Sequence, residues 1–128
     1  MITTISSITG TVLLLAVAVM EILLIIGLPL GEFTMGGRYK VLPPLYRIFA
    51  VSSVILQLFG AAMILQGAGL MNMWFSDKIV KIICFVFAGF FAVNTVMNII
   101  SPSKKEKYVM TPLAAIEAIC FAVTAFSM

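Results

Sequence analysis

The chain has 128 residues, of which 62% are hydrophobic and only 10% are charged. A soluble domain of this length would be about half apolar and roughly a quarter charged. The five acids and eight bases are too few to cover a soluble surface, so the composition excludes an ordinary soluble protein and favours an integral membrane protein.

The chain contains no histidine, which excludes imidazole ligation of a metal or haem. Cys84 and Cys120 lie in different apolar runs, without the spacing of a disulfide framework or a thiol redox motif, and are expected to be buried thiols. The net charge of +3 arises from bases clustered between apolar runs, which is typical of membrane loops and not of a nucleic-acid-binding face. We therefore expect no cofactor and no nucleic-acid partner.

Four apolar runs, at about 5–30, 45–71, 79–100 and 111–128, are predicted to be transmembrane helices, because a span needs roughly 20 residues and a lipid environment leaves no partner for unpaired backbone groups. Pro29 and Gly31 are expected to end the first run. Thr111 is predicted to cap the fourth helix, with Pro112 at its first position. The predicted fold is an all-α membrane protein, a single antiparallel four-helix bundle with left-handed packing.

The bases predict the orientation of the bundle. The second loop holds only Lys78 and Lys81. Six others lie in or beside the first and third loops: Arg38, Lys40, Arg47, Lys104, Lys105 and Lys107. The positive-inside rule then places these two loops in the cytosol and both termini outside the plasma membrane.

Two acids lie inside apolar runs, Glu21 in the first and Glu117 in the fourth. A carboxylate at this depth is unfavourable unless it is neutral, paired or hydrated. Counted at about 1.5 Å per residue from the expected helix ends, Glu21, Gln57, Asn94 and Glu117 fall in one layer just cytosolic of the midplane. We expect at least one of the two carboxyls to be protonated at neutral pH.

Spacings of three and four place small and polar residues on one face of every predicted helix. The stripe of the third helix also carries Asn98. The predicted site is therefore a proton, cation or ligand site made of Glu21, Glu117, Gln57, Asn94 and Asn98. For the three amides, a role as polar glue between helices is equally consistent with the sequence.

The first loop, GEFTMGGRYKVLPP, could form a cytosolic lid or a contact with lipid headgroups, in which Glu32 pairs with Arg38 or Lys40. The plainer interpretation is an ordered turn that joins two spans. The loop and the segment SPSKKEKYVMTP together resemble a group of small bacterial four-span membrane proteins. This resemblance implies the four-span layout and transfers no catalytic residue.

The layout is also distantly similar to that of small multidrug transporters, which carry a membrane-embedded glutamate in the first span, matched here by Glu21. An acid in the fourth helix and the long first loop depart from their pattern. The characteristic sequences of dual-topology fluoride channels are not found.

The leading functional hypothesis is a small protein of transporter or channel type with a protonatable carboxylate site. The alternative is a non-transporting subunit, regulator or lipid-binding module that acts through helix contacts. An enzyme is disfavoured, because there is no histidine, base–nucleophile pair or phosphate loop. Membrane lipid is the expected partner, and the sequence leaves open a homodimer or a partner membrane protein.

Overall fold

A computed structural model describes residues 2–33, 37 and 39–128, except the side chain of Glu32. This part of the chain contains helices and no strands. The main helices are α1 (Ile2–Ile25), α2 (Pro44–Gly67), α3 (Asp77–Ile99) and α4 (Thr111–Phe126), with a 3-10 turn at Gly31–Phe33 and a π-helical turn at Glu106–Met110. The prediction of four helices that are long and apolar enough to cross a membrane is confirmed; the fourth such span is Glu106–Phe126.

The first two helices end earlier than expected because each runs into a glycine with a left-handed backbone. Gly27 has a φ of 104°, its N–H bonds to the Leu24 carbonyl, and Leu28 N–H bonds to the Leu23 carbonyl. This pair of bonds is the Schellman arrangement, which occupies carbonyls that an ending helix would leave unpaired. Gly69, with a φ of 77°, ends α2 in the same way.

The fourth helix begins differently from the prediction. Helical backbone already starts at residue 104 and continues through the π-turn into α4 without a break. Thr111 does not act as a cap, and its buried hydroxyl has no hydrogen-bond partner among the described residues. Pro112 lacks an N–H, so a proline inside a helix removes a donor from the preceding turn, and a π-turn is a common adjustment beside such a defect.

The helices pack in a ring. α1 lies against α2 and α4, and α3 packs closely on α4 but less closely on α2. One apolar cluster fills the half of the ring nearest the loop between α2 and α3; we call its centre, Met63, Ile64, Cys84 and Phe121, the plug, and all four residues are completely buried. A smaller cluster around Leu24, Leu42 and Ala50 lies near the loop between α1 and α2.

Close helix approach at the plug depends on glycine. A methyl group added at Gly60 would lie 2.9 Å from Phe87 Cε1 and 3.4 Å from Phe121 Cζ. A methyl group added at Gly89, on the outer face of α3, would meet no atom within 4 Å. These two helical glycines therefore form a matched pair for testing the packing.

We expect Gly60→Ala to lower the thermal unfolding midpoint in detergent, because overpacking a filled core destabilises by about 1–3 kcal/mol. Gly89→Ala should hold or raise the midpoint, because alanine is favoured over glycine inside a helix by about 0.5–1 kcal/mol. Circular dichroism of both variants in one detergent measures the difference. Equal midpoints for the two variants would contradict the packing of α2 against Phe87.

Candidate functional site

A cavity of about 550 Å³ lies between the four helices. Each helix contributes side chains to its wall. All five polar membrane residues singled out from the sequence line it: Glu21, Gln57, Asn94, Asn98 and Glu117. The structure thus brings these side chains to one cavity.

The cavity is blind at its inner end. At one end it is lined by Phe33 and Pro102, from the first and third loops, and by Met97 and Ile100, which are largely exposed. At the other end Leu14 and Phe87 line it, and these two residues belong to the same apolar cluster as the plug. The cavity therefore extends inward from the level of the first and third loops and stops at the plug.

Glu21 is held by a closed hydrogen-bond network. Ser53 Oγ donates to Glu21 Oε1 at 3.1 Å, and Gln57 Nε2 donates to the same oxygen at 3.0 Å. Gln57 Nε2 also donates to Ser53 Oγ at 3.1 Å. The spacing of four residues between Ser53 and Gln57 places both side chains on the face of α2 that meets α1. Glu21 Oε2 and Gln57 Oε1 remain buried without a partner among the described residues.

Glu117 has no such network. Its side chain is 3% exposed, and neither carboxyl oxygen has a hydrogen-bond partner in the described part of the chain. The carboxyl lies against α1 where that helix has no side chain, since a methyl group added at Gly10 would be 3.4 Å from Glu117 Oε2. A buried carboxyl without donors is unfavourable as a charge, so Glu117 needs a proton, a cation or water in the cavity to stabilise it.

The sequence predicts that the two carboxyls lie in one layer. In the structure they lie at different depths. Glu117 contacts α1 at Gly10, whereas Glu21 is eleven residues further along the same helix, about 16 Å by the helical rise. The expectation failed because it counted the depth of Glu117 from Pro112. The helix begins at residue 104, about 20 Å before Glu117, so Glu117 lies deeper than predicted.

The two asparagines of α3 differ in their surroundings. Asn98 Nδ2 donates to the Met110 carbonyl at 3.3 Å and so ties α3 to the π-turn. Asn94 is half-buried on the cavity wall, and the described residues offer it no hydrogen bond. Asn98 therefore has a structural partner, while the Asn94 amide faces the cavity unpaired.

The first loop closes on itself at its base, where Gly31 N–H donates to the Lys40 carbonyl at 2.9 Å. Its 3-10 turn packs against the π-turn, and Lys105 Nζ lies 5.7 Å from the centre of the Phe33 ring. Lys40 itself is exposed. Arg38 and the side chain of Glu32 lie outside the described residues, so the expected ion pairs with Glu32 are not described.

Sequence reasoning missed Glu106, which lines the cavity and is 8% exposed. A helix that begins at Pro112 leaves Glu106 in the third loop. The spacing of Glu106, Met110, Leu113 and Glu117 is four, three and four, which is the spacing of residues on one face of a helix. That stripe would have identified Glu106 had the helix been extended past the proline.

The electrostatic character of the cavity is acidic. Three of the chain's five acids line the cavity: Glu21, Glu106 and Glu117. No lysine or arginine in the described ranges lines it. The described residues contain no group of three or more His, Cys, Asp or Glu side chains that could hold a metal ion. The described part of the cavity wall therefore carries acidic side chains and no basic ones.

Comparison of the chain with protein-family models, with curated proteins and with solved structures found no match.

Proposed function

We propose that this chain is a small membrane protein of transporter or channel type, in which Glu117 and Glu21 form a protonatable site inside the bundle. The observation that carries this proposal is the blind cavity, which extends from the first and third loops to a carboxyl without hydrogen-bond partners. Acids in membrane spans mark ion or substrate pathways more often than they serve as structural groups.

The proposal includes the arrangement of the bundle in the membrane. The helices run antiparallel with left-handed packing, both termini lie outside the plasma membrane, and the first and third loops lie in the cytosol. The bond from Asn98 to Met110 and the bonds from Gln57 and Ser53 to Glu21 support the antiparallel pairing of neighbouring helices. The cavity then faces the cytosol, and the plug separates it from the outer side.

Proton flux in proteoliposomes tests the proposal. Wild type is compared with the double variant Glu21→Gln, Glu117→Gln and with Asp77→Asn, which removes an exposed acid outside the cavity. We expect flux in the wild type and in Asp77→Asn, and none above empty liposomes in the double variant. Absence of flux in the wild type would overturn the transport proposal.

A second candidate function is a non-transporting subunit or regulator, which would act as a homodimer or with a partner membrane protein. The observation that favours it is the bonding of Glu21 to Ser53 and Gln57, because polar groups that satisfy one another also serve as glue between membrane helices. Whether water enters the cavity discriminates the two candidates.

Asn94 and Val93 provide a direct test of water access, because they are neighbours on α3 but face different surroundings. Asn94 lines the cavity, whereas Val93 is 60% exposed on the outer, lipid-facing surface. In a Cys84→Ser, Cys120→Ala background in nanodiscs, Asn94→Cys should react with a water-soluble maleimide at least about tenfold faster than Val93→Cys, because the reactive thiolate needs water. Equally slow labelling of both would favour the non-transporting candidate.

A further inference from the structure

The completely buried unsatisfied polar atoms of the cavity share one property, which is that they accept hydrogen bonds. Among its described lining residues, the buried atoms without partners are Glu21 Oε2, Gln57 Oε1 and both carboxyl oxygens of Glu117. Leaving a buried polar group unpaired costs about 1–3 kcal/mol. A ligand that brings N–H donors is therefore favoured over one that brings acceptors.

The charges of the cavity select a cation. Three carboxyl groups line it, and no lysine or arginine of the described chain does. An inorganic metal ion fits poorly, because Glu21 and Glu117 lie at different depths and the described residues assemble no group of metal-binding side chains. The favoured cation is therefore an organic one.

The walls select a ligand with an apolar body. Phe87, Phe90 and Phe91 line the inner part together with Leu13 and Leu14. Aromatic faces attract ammonium groups as well as apolar surface. The volume of about 550 Å³ also falls within the range of about 300–1,000 Å³ of small-molecule sites, and is much larger than a bare ion needs.

We propose that the cavity binds a protonated primary or secondary amine with an apolar, preferably aromatic, body, and that its ammonium group binds at Glu117. A primary or secondary ammonium carries at least two N–H donors, one for each unpartnered oxygen of Glu117. A quaternary ammonium carries none and leaves both oxygens without a hydrogen bond. This inference rests on the proposed function, since it names the ligand class of the same site.

Calorimetry on the full chain in phosphatidylcholine nanodiscs, with empty nanodiscs subtracted, tests the inference. The probes are 2-phenylethylamine, its N,N,N-trimethyl analogue and phenylacetate. We expect 2-phenylethylamine to bind and the trimethyl analogue to bind at least about tenfold more weakly, because charge-assisted hydrogen bonds contribute about 1.5–3 kcal/mol. Phenylacetate should not bind, because it carries a negative charge into a cavity lined by acids.

Two variants assign the site. Glu117→Gln should weaken binding of 2-phenylethylamine by about 10- to 100-fold, while Asp77→Asn should bind like the wild type. Equal affinity for 2-phenylethylamine and its trimethyl analogue, or unchanged affinity in Glu117→Gln, would overturn the inference.

The binding and flux experiments separate this inference from the proposed function. Proton flux that depends on the two glutamates, with no binding of 2-phenylethylamine, overturns the amine site and leaves proton transport standing. Binding that depends on Glu117, with no proton flux, overturns transport and supports the amine site.

Discussion

In proteoliposomes, Glu117→Gln alone should reduce proton flux by at least about tenfold, which corresponds to about 1.4 kcal/mol in the activation free energy. Glu21→Gln should leave a measurable part of the wild-type flux. Glu117 is the deeper carboxyl, and the plug lies directly beyond the end of the cavity that it lines. A proton that crosses the bundle by way of the cavity has to pass this position. Glu21 lies nearer the cavity mouth, where Ser53 and Gln57 already hold one of its oxygens.

The measurement is the initial rate of internal acidification after a pH gradient is imposed, at equal protein incorporation. The substitution removes no hydrogen bond, because neither oxygen of Glu117 has a partner in the described chain, so the variant should fold and its unfolding midpoint should stay near that of the wild type. Glu117→Asp, which keeps a carboxyl group, serves as the matched control and should retain flux. A larger loss in Glu21→Gln than in Glu117→Gln would contradict the assignment of the deeper site.

Gly31→Ala should open the first loop and expose it to protease. A methyl group added at Gly31 would overlap the Tyr39 carbonyl oxygen and lie 2.8 Å from the Lys40 carbonyl oxygen. Both obstacles are backbone atoms, which cannot rotate away as a side chain can, so the closure of the loop at the Gly31–Lys40 hydrogen bond has to break. Loss of this hydrogen bond, together with the steric overlap, is expected to destabilise the closed loop by about 1–3 kcal/mol.

Tryptic cleavage after Lys40, which is exposed, measures this opening in nanodiscs. Cleavage in Gly31→Ala should be at least about fivefold faster than in the wild type. This is the increase in the open population that a fall of about 1 kcal/mol in the free energy of loop opening gives, when opening and closing are fast relative to cleavage. Gly89→Ala, whose added methyl group meets nothing within 4 Å, should be cut at the wild-type rate. Equal cleavage of the two glycine variants would show that the loop does not depend on Gly31.

The number and the approximate extents of the spans could be predicted because they depend on composition alone. Apolar runs separated by charged or proline-rich segments are sufficient to identify membrane helices. The ends of the helices could not be read as reliably, because they depend on backbone geometry. Gly27 and Gly69 end α1 and α2 through left-handed conformations, whereas the sequence prediction rests on Pro29 and on the length of the apolar run.

The composition of the cavity was predictable from helical spacing, since the five polar membrane residues all line it. Their depths were not, because depth was counted from a proline that lies inside a continuous helix. Counting from Pro112 also places Glu117 too near the third loop and leaves Glu106 outside the helix. Hydrogen-bond partners also need the structure, since no spacing rule states that Glu21 is bonded and Glu117 is not.

In the orientation proposed above, the plug also determines where the membrane potential acts on the protein. Water conducts the potential of its own side, so a cavity that opens to the cytosol, as proposed, and fills with water would carry the cytosolic potential inward as far as Glu117. The voltage then falls mainly across the apolar layer of Ile64, Cys84 and Phe121, and not evenly across the bilayer. A charge that moves between Glu117 and the outer face would cross most of the field, which is about 2.3 kcal/mol for each 100 mV. Proton movement through this bundle should accordingly depend steeply on voltage.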